Sequence, residues 1–181
     1  IQIGAMKVEL SEGLPEVESF VRYVNPTDEF GKRLPITPFF ESLTHISEKD
    51  LAEQGVSVKQ AFADFKEFCG ASKIYSYCRD DLACLVPTAY LNRVPFPFDP
   101  LDLRDLRHAF VDAGLSVEKV HELCSGELAG HFCIQLDNHH VHDARDDVLS
   151  ILSALRHLET EKKFSYQWFV DYHKTLVSNA A

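Results

Sequence analysis

The feature that most constrains the fold of this chain is a change of period along it. Residues 1–10 (IQIGAMKVEL) are rich in β-formers, 11–15 (SEGLP) carry turn chemistry, and 18–24 (ESFVRYV) resume with partial alternation, so the chain opens as an antiparallel hairpin. Beyond it, apolar residues recur at helical spacing. Val58, Phe62, Phe65 and Cys69 share one face, and Val148, Ile151, Leu152, Leu155 and Leu158 line one side of a last strong helix beginning near Asp143. Single short strands, 73–78 (KIYSYC) foremost, separate the helices. A hairpin followed by helices alternating with single strands predicts an α/β fold with a mixed sheet.

Local signals divide the rest. Asn25-Pro26-Thr27-Asp28 closes the hairpin, and the Pro and Gly residues that follow predict an ordered loop to about residue 43 with at most a short helix. Ser47-Glu48-Lys49-Asp50 has the form of a helix N-terminus, Ser57-Val58-Lys59-Gln60 that of a capping box, and Gly70 that of a stop. Residues 80–92 predict a helix that Pro87 kinks or ends, residues 103–113 another, and Ser116 caps a short third. No element is predicted over 126–138. The tail, 159–181, is read as helical at first, with Trp168, the sole tryptophan, packing it onto the domain. Without repeats, low-complexity tracts or a linker, residues 1–181 read as one domain, with 159–181 a C-terminal helical extension.

Composition sets limits on partners. The 181 residues carry 28 Asp and Glu against 18 Lys and Arg, a formal charge of −10. A surface so acidic argues against simple polyanion binding, which rests on Lys and Arg neutralising phosphates. No apolar run approaches the ~18 residues of a membrane span, so no membrane partner is expected. Five cysteines without CxxC spacing read as reduced thiols and a cytoplasmic location.

The densest polar chemistry is His139-His140-Val141-His142-Asp143-Ala144-Arg145-Asp146-Asp147. In a helix, Asp146 shares a face with Ser150, Ser153 and His157, read as a solvated stripe, whereas Asp147 shares one with Ile151, Ala154 and Leu158, which should pack inward. A carboxylate at the margin of a buried face needs a partner: a basic residue, a metal ion, or the start of the helix itself. A second acidic pair, Asp80-Asp81, follows the strand KIYSYC, at the sheet edge where α/β sites are built, though both acids also suit the first turn of the next helix.

His142-x-Ala144-x-x-Asp147, followed by VLSILSAL, resembles the third motif of the DEDDh 3′–5′ exonucleases, the family of RNase T and the DNA polymerase III epsilon-type exonuclease. The order of the rest is similar. IQIGAMKVEL resembles the strand after the family's first motif, TPFFESLTHI (37–46) the segment ending there in Thr-Gly-Ile or His-Gly-Ile, and KIYSYCRDDLACL the second motif, in which Asp81 rather than Asp80 has the right spacing to Leu85. Residues 101–115 resemble the family's Asp-then-helix segment. His45 stands where the family has Gly, and the first motif, Asp-x-Glu, does not occur in these 181 residues. It is expected upstream of Ile1.

The resemblance implies a ribonuclease H-like three-layer fold, a mixed central sheet flanked by helices. It implies hydrolysis of the 3′-terminal phosphodiester of single-stranded DNA or RNA to nucleoside 5′-monophosphates, with two divalent cations, Mg²⁺ or Mn²⁺, about 4 Å apart. Asp81 and Asp147 would be metal ligands, His142 the general base, and Thr44, His45 and Ile46 the substrate-binding segment. An inactive domain of the same fold that binds nucleic acid or protein is the alternative. A zinc site from His131, Cys133, Asp137, His139 and His140 has suitable ligand types.

Overall fold

The computed structural model describes residues 2–77, 80–99 and 102–179. The hairpin forms as expected: β1 (Gln2–Val8) pairs antiparallel with β2 (Glu16–Tyr23), Ala5 opposite Phe20, with a register shift between Lys7 and Val8. Gly13 and Leu14 take positive φ in the turn, and Leu14 is fully buried. Three helices follow, α1 (Pro38–Thr44), α2 (Glu48–Gln54) and α3 (Val58–Cys69).

Each begins on a side-chain cap. Thr37, Ser47 and Ser57 accept from Phe40, Asp50 and Gln60 backbone N–H groups. At Ser47 the box is complete, because Asp50 accepts from the Ser47 N–H in return. At Ser57 it is half made: the Gln60 side chain turns forward to Asp64 at 2.6 Å.

The second half begins with β3 (Ile74–Ser76), α4 (Asp80–Leu91) and β4 (Leu103–Asp105), the strands paired parallel with Ile74 opposite Leu103. Then come α5 (Arg107–Asp112), α6 (Val117–Glu122), a 3-10 turn (Ser125–Glu127), α7 (Leu128–His131), α8 (Ala144–Thr160) and α9 (Gln167–Asn179). The architecture is therefore mixed α/β. Its strands form two two-stranded sheets, one antiparallel and one parallel, rather than a single mixed sheet.

Alternation along β1 divides the interior. Ile3 and Ala5 face a core with Phe20, Val24, Val58, Phe62 and Phe65, while Met6 and Val8 face a second core of Leu14, Phe110, Leu128, Leu152, Leu155 and Leu158. β3 is shared in the same way, Ile74 to the first core and Tyr75 to the second, which Tyr77 just after the strand also joins. The strands thus lie between a layer containing α3 and one containing α8. Each fully buried Leu or Phe here contributes roughly 1.5–3 kcal/mol relative to exposure.

The helix expected over 80–92 forms: α4 runs through Pro87 to Leu91, and Thr88 Oγ1 donates to the Cys84 carbonyl at 2.7 Å in the same turn. Three local expectations are corrected. Residues 103–105 are strand, because LDLRDL alternates as well as it winds and β3 offers a ladder partner; the Asp105 carboxylate then accepts from Arg107 N–H to start α5. Within 126–138, where no element is predicted, residues up to His131 are helical. Ser150 is fully buried, not solvated: its hydroxyl accepts from Ala129 N–H and donates to the Gly126 carbonyl.

The tail packs onto the domain, but as a separate helix. α8 ends at Thr160, the chain turns at Lys162 with φ 58°, and α9 sets Phe169 against Tyr75 with ring centroids 4.8 Å apart. No helix among the described residues is long and apolar enough to cross a membrane. Among them Cys69, Cys84, Cys124 and Cys133 are free thiols.

Candidate active site at the start of helix α8

The first turn of α8 is tied to β1 and to the loop before it. Asp143 caps the helix, its Oδ1 accepting from Arg145 N–H and Asp146 N–H. Its Oδ2 accepts from Gln2 Nε2 at 2.9 Å, and Gln2 Oε1 accepts from Ala144 N–H at 2.9 Å. Gly4 permits this approach, since a Cβ there would lie 2.5 Å from the Ala144 carbonyl carbon. The start of α8 is therefore held in place against the strand layer.

The two following carboxylates draw in the histidine loop. Asp146 Oδ2 accepts from His140 N–H at 2.9 Å, and Asp147 Oδ1 from His142 N–H at 3.1 Å, with His142 in the left-handed region at φ 75°. Ser125 Oγ donates to Asp147 Oδ2 at 3.3 Å. The half-buried setting of Asp147 raises its pKa above the usual carboxylate value, while the His142 amide, the charge of His142 and the Ser125 hydroxyl partly oppose the shift.

Asp81, at the start of α4, faces the same place. Its pKa is raised, first by lost hydration, then by the charges of Asp80 and Asp147; a hydrogen bond with Ser76 opposes this. The residue keeps a solvent-accessible side, so the lost hydration reflects protein crowded around the carboxyl rather than enclosure of the whole side chain.

The 44–46 segment lies beside this loop. His45, in the left-handed region at φ 57°, sets its ring 5.0 Å from that of His140. Thr44 Oγ1 donates to the Phe40 carbonyl at 2.9 Å, and Ile46 is buried. Of the three, only His45 presents an exposed side chain to the site.

A cleft of about 550 Å³ lies behind Asp147, lined by Gly126, Ala129, Ile134, Leu136, His139 and Val141 among others. His139 Nε2 is buried without a hydrogen-bond partner, and its charge lowers the proton affinity of Asp147. Among the described residues no three His, Cys, Asp or Glu side chains stand together so as to hold a metal ion. The zinc alternative at 131–140 gains no support here: that segment spreads over α7 and the loop, and the rings of His131 and His140 turn to Phe132 and His45.

Asp81 and Asp147 are hard oxygen donors whose crowding a divalent cation would relieve, so they fit one chemically. They are two donors, not a complete centre. Sequence reasoning missed Ser76, Ser125, Gly126 and Gln2; only Gly126 carried a signal, a residue without a side chain in an unassigned segment.

Compared with models of known protein families and with curated proteins, the chain matches none.

Proposed function

We propose that this chain is the body of a DEDDh-type 3′–5′ exonuclease with a ribonuclease H-like fold, acting on single-stranded DNA or RNA. The observation that carries the reading is that Asp81 and Asp147, from separate helices distant in sequence, lie near enough for the charge of Asp147 to raise the proton affinity of Asp81. The family's motifs resemble the chain at those two acids, and His142 adjoins Asp147 through its backbone N–H. The two donors lacking here are those of the Asp-x-Glu motif, which these 181 residues do not contain.

In this reaction water attacks the terminal phosphorus, the bond to the preceding 3′ oxygen breaks, and a nucleoside 5′-monophosphate and a new 3′-hydroxyl result. His142, on its left-handed turn beside Asp147, takes the proton of the water. Asp81 and Asp147 would hold divalent cations, which would supply positive charge to the reacting phosphate. His45, next to the histidine loop, lines the approach of the terminal nucleotide.

A second reading, a binding module without catalysis, is favoured by the lack of any three-donor group among the described residues. Incubating a 3′-labelled oligonucleotide with protein from the complete reading frame and Mn²⁺ separates the two. Release of 5′-mononucleotides, lost in Asp81→Asn, Asp147→Asn and His142→Ala, supports the nuclease. Retention without trimming supports the binding module, and undiminished trimming in all three variants overturns the assignment.

A further inference from the structure

On a chain of charge −10, one cleft outside the proposed active site gathers cations beside an aromatic surface. It measures about 300 Å³ and lies between the end of α5 and the turn joining α8 to α9, lined by Asp112, Lys162, Lys163, Phe164, Ser165 and Trp168, with Ala109 and Ala113 at its floor. The turn holds both lysines at its rim. Lys162, at φ 58°, has no carboxylate partner among the described residues, and Lys163 pairs with Glu161 at 2.8 Å.

Trp168 is fixed in place. Tyr172 stacks on its ring with centroids 4.5 Å apart and planes 15° from parallel, and its Nε1–H donates to Asp112 Oδ2 at 2.8 Å. Indole and carboxylate are thus pre-set in the cleft that Lys162 and Lys163 also line.

We propose that this cleft is a second nucleic-acid contact, holding one nucleotide of a single strand with its base against Trp168 and its phosphate at Lys162 and Lys163. Base stacking on an aromatic ring is sequence-tolerant, and the lysines supply the charge that the rest of the surface lacks. The Asp112 carboxylate repels phosphate and accepts hydrogen bonds, which orients the nucleotide: phosphate toward the lysines, base edge toward Asp112. Adenine and cytosine carry exocyclic amino donors and thymine does not, so oligo(dA) and oligo(dC) bind here more tightly than oligo(dT).

The cleft sits at the far end of α8 from Asp147, about 20 Å away at ~1.5 Å of rise per residue. It therefore grips a strand away from its 3′ end. The inference rests on the nucleic-acid reading only for the choice of ligand class and needs no catalysis.

The test uses Trp168, the sole tryptophan, as its own reporter. Oligo(dA) is titrated in EDTA, with oligo(dT) in parallel, following indole fluorescence in the wild-type protein and in Lys162→Gln/Lys163→Gln, which keeps much of both stems. Saturable quenching is expected, weakened roughly three- to tenfold in the double variant. The double variant should also flatten the log-log salt dependence by about 0.7, one phosphate contact on a single strand. The Asp81→Asn/Asp147→Asn protein should quench normally, so loss of nuclease activity and loss of this contact are read separately. Absence of quenching, or quenching indifferent to the lysine substitutions, overturns the proposal.

Discussion

Gly126 lies directly against the Asp147 carboxylate: a Cβ at that position would collide with Asp147 Oδ1 and stand 2.9 Å from Val141 Cγ1. The 3-10 turn and the first turn of α8 thus approach as closely as backbone permits, and Ser125 reaches Asp147 because of it. Gly126→Ala should cost about 1–3 kcal/mol of stability through overpacking, read from the urea midpoint. It should also push Asp147 out of reach of Ser125 and remove any Mn²⁺-dependent trimming.

A second close approach joins β1 to α8. A Cβ on Gly4 would lie 2.5 Å from the carbonyl carbon and oxygen of Ala144, backbone atoms that no rotamer change can move. Gly4→Ala should therefore separate the strand from the helix start, break the Gln2 bonds to Asp143 and Ala144, and cost about 1–3 kcal/mol. Gln2→Ala, which breaks the same bonds without the clash, should cost less. Equal midpoints for the two variants would contradict this account.

Ser150 carries a buried link between helices. Its hydroxyl satisfies Ala129 N–H at 2.9 Å and the Gly126 carbonyl at 3.1 Å, both beneath the site. Ser150→Ala leaves two buried backbone groups unpaired and should destabilise by about 1–3 kcal/mol. Amide exchange of Ala129 should accelerate with it.

What was legible in the sequence was local. Ser47, Ser57, Ser116 and Asp143 announced helix starts because a cap is decided by residues within one turn, and Phe62 and Phe65 announced a buried face because helical spacing alone fixes it. The parallel pairing of Leu103–Asp105 with Ile74–Ser76 was not legible, since its ladder partner lies beyond an intervening helix. Ser150 looked solvated because helical geometry gives direction but not what packs there; α7 covers it. The inward direction of Asp147 followed from Ala154 and Leu158, both buried, whereas its company with Asp81 came from resemblance to a family motif and not from any periodicity.

Asp81 and Asp147 make the stability of the protein depend on pH in a definite direction. Both are harder to ionise when folded than the usual carboxylate pKa of 3.8, Asp81 through lost hydration and its acidic neighbours, Asp147 chiefly through lost hydration. A raised folded pKa means that the unfolded chain releases its proton first. Their contribution is therefore neutral while both states are protonated, below about pH 3.8, and turns destabilising as pH rises from there through the raised folded values. Asp81→Asn removes one charge of the pair, so its Tm should exceed that of the wild type at pH 7 and match it near about pH 3, where both carboxyls are protonated in either state. A cation binding the folded pair acts on the same repulsion, so Mn²⁺ at pH 7 should raise the wild-type Tm and leave that of Asp81→Asn unmoved. Equal Mn²⁺ shifts in the two proteins would place the ion elsewhere, and a Tm for Asp81→Asn at or below the wild type at pH 7 would show that the Ser76 bond outweighs the repulsion.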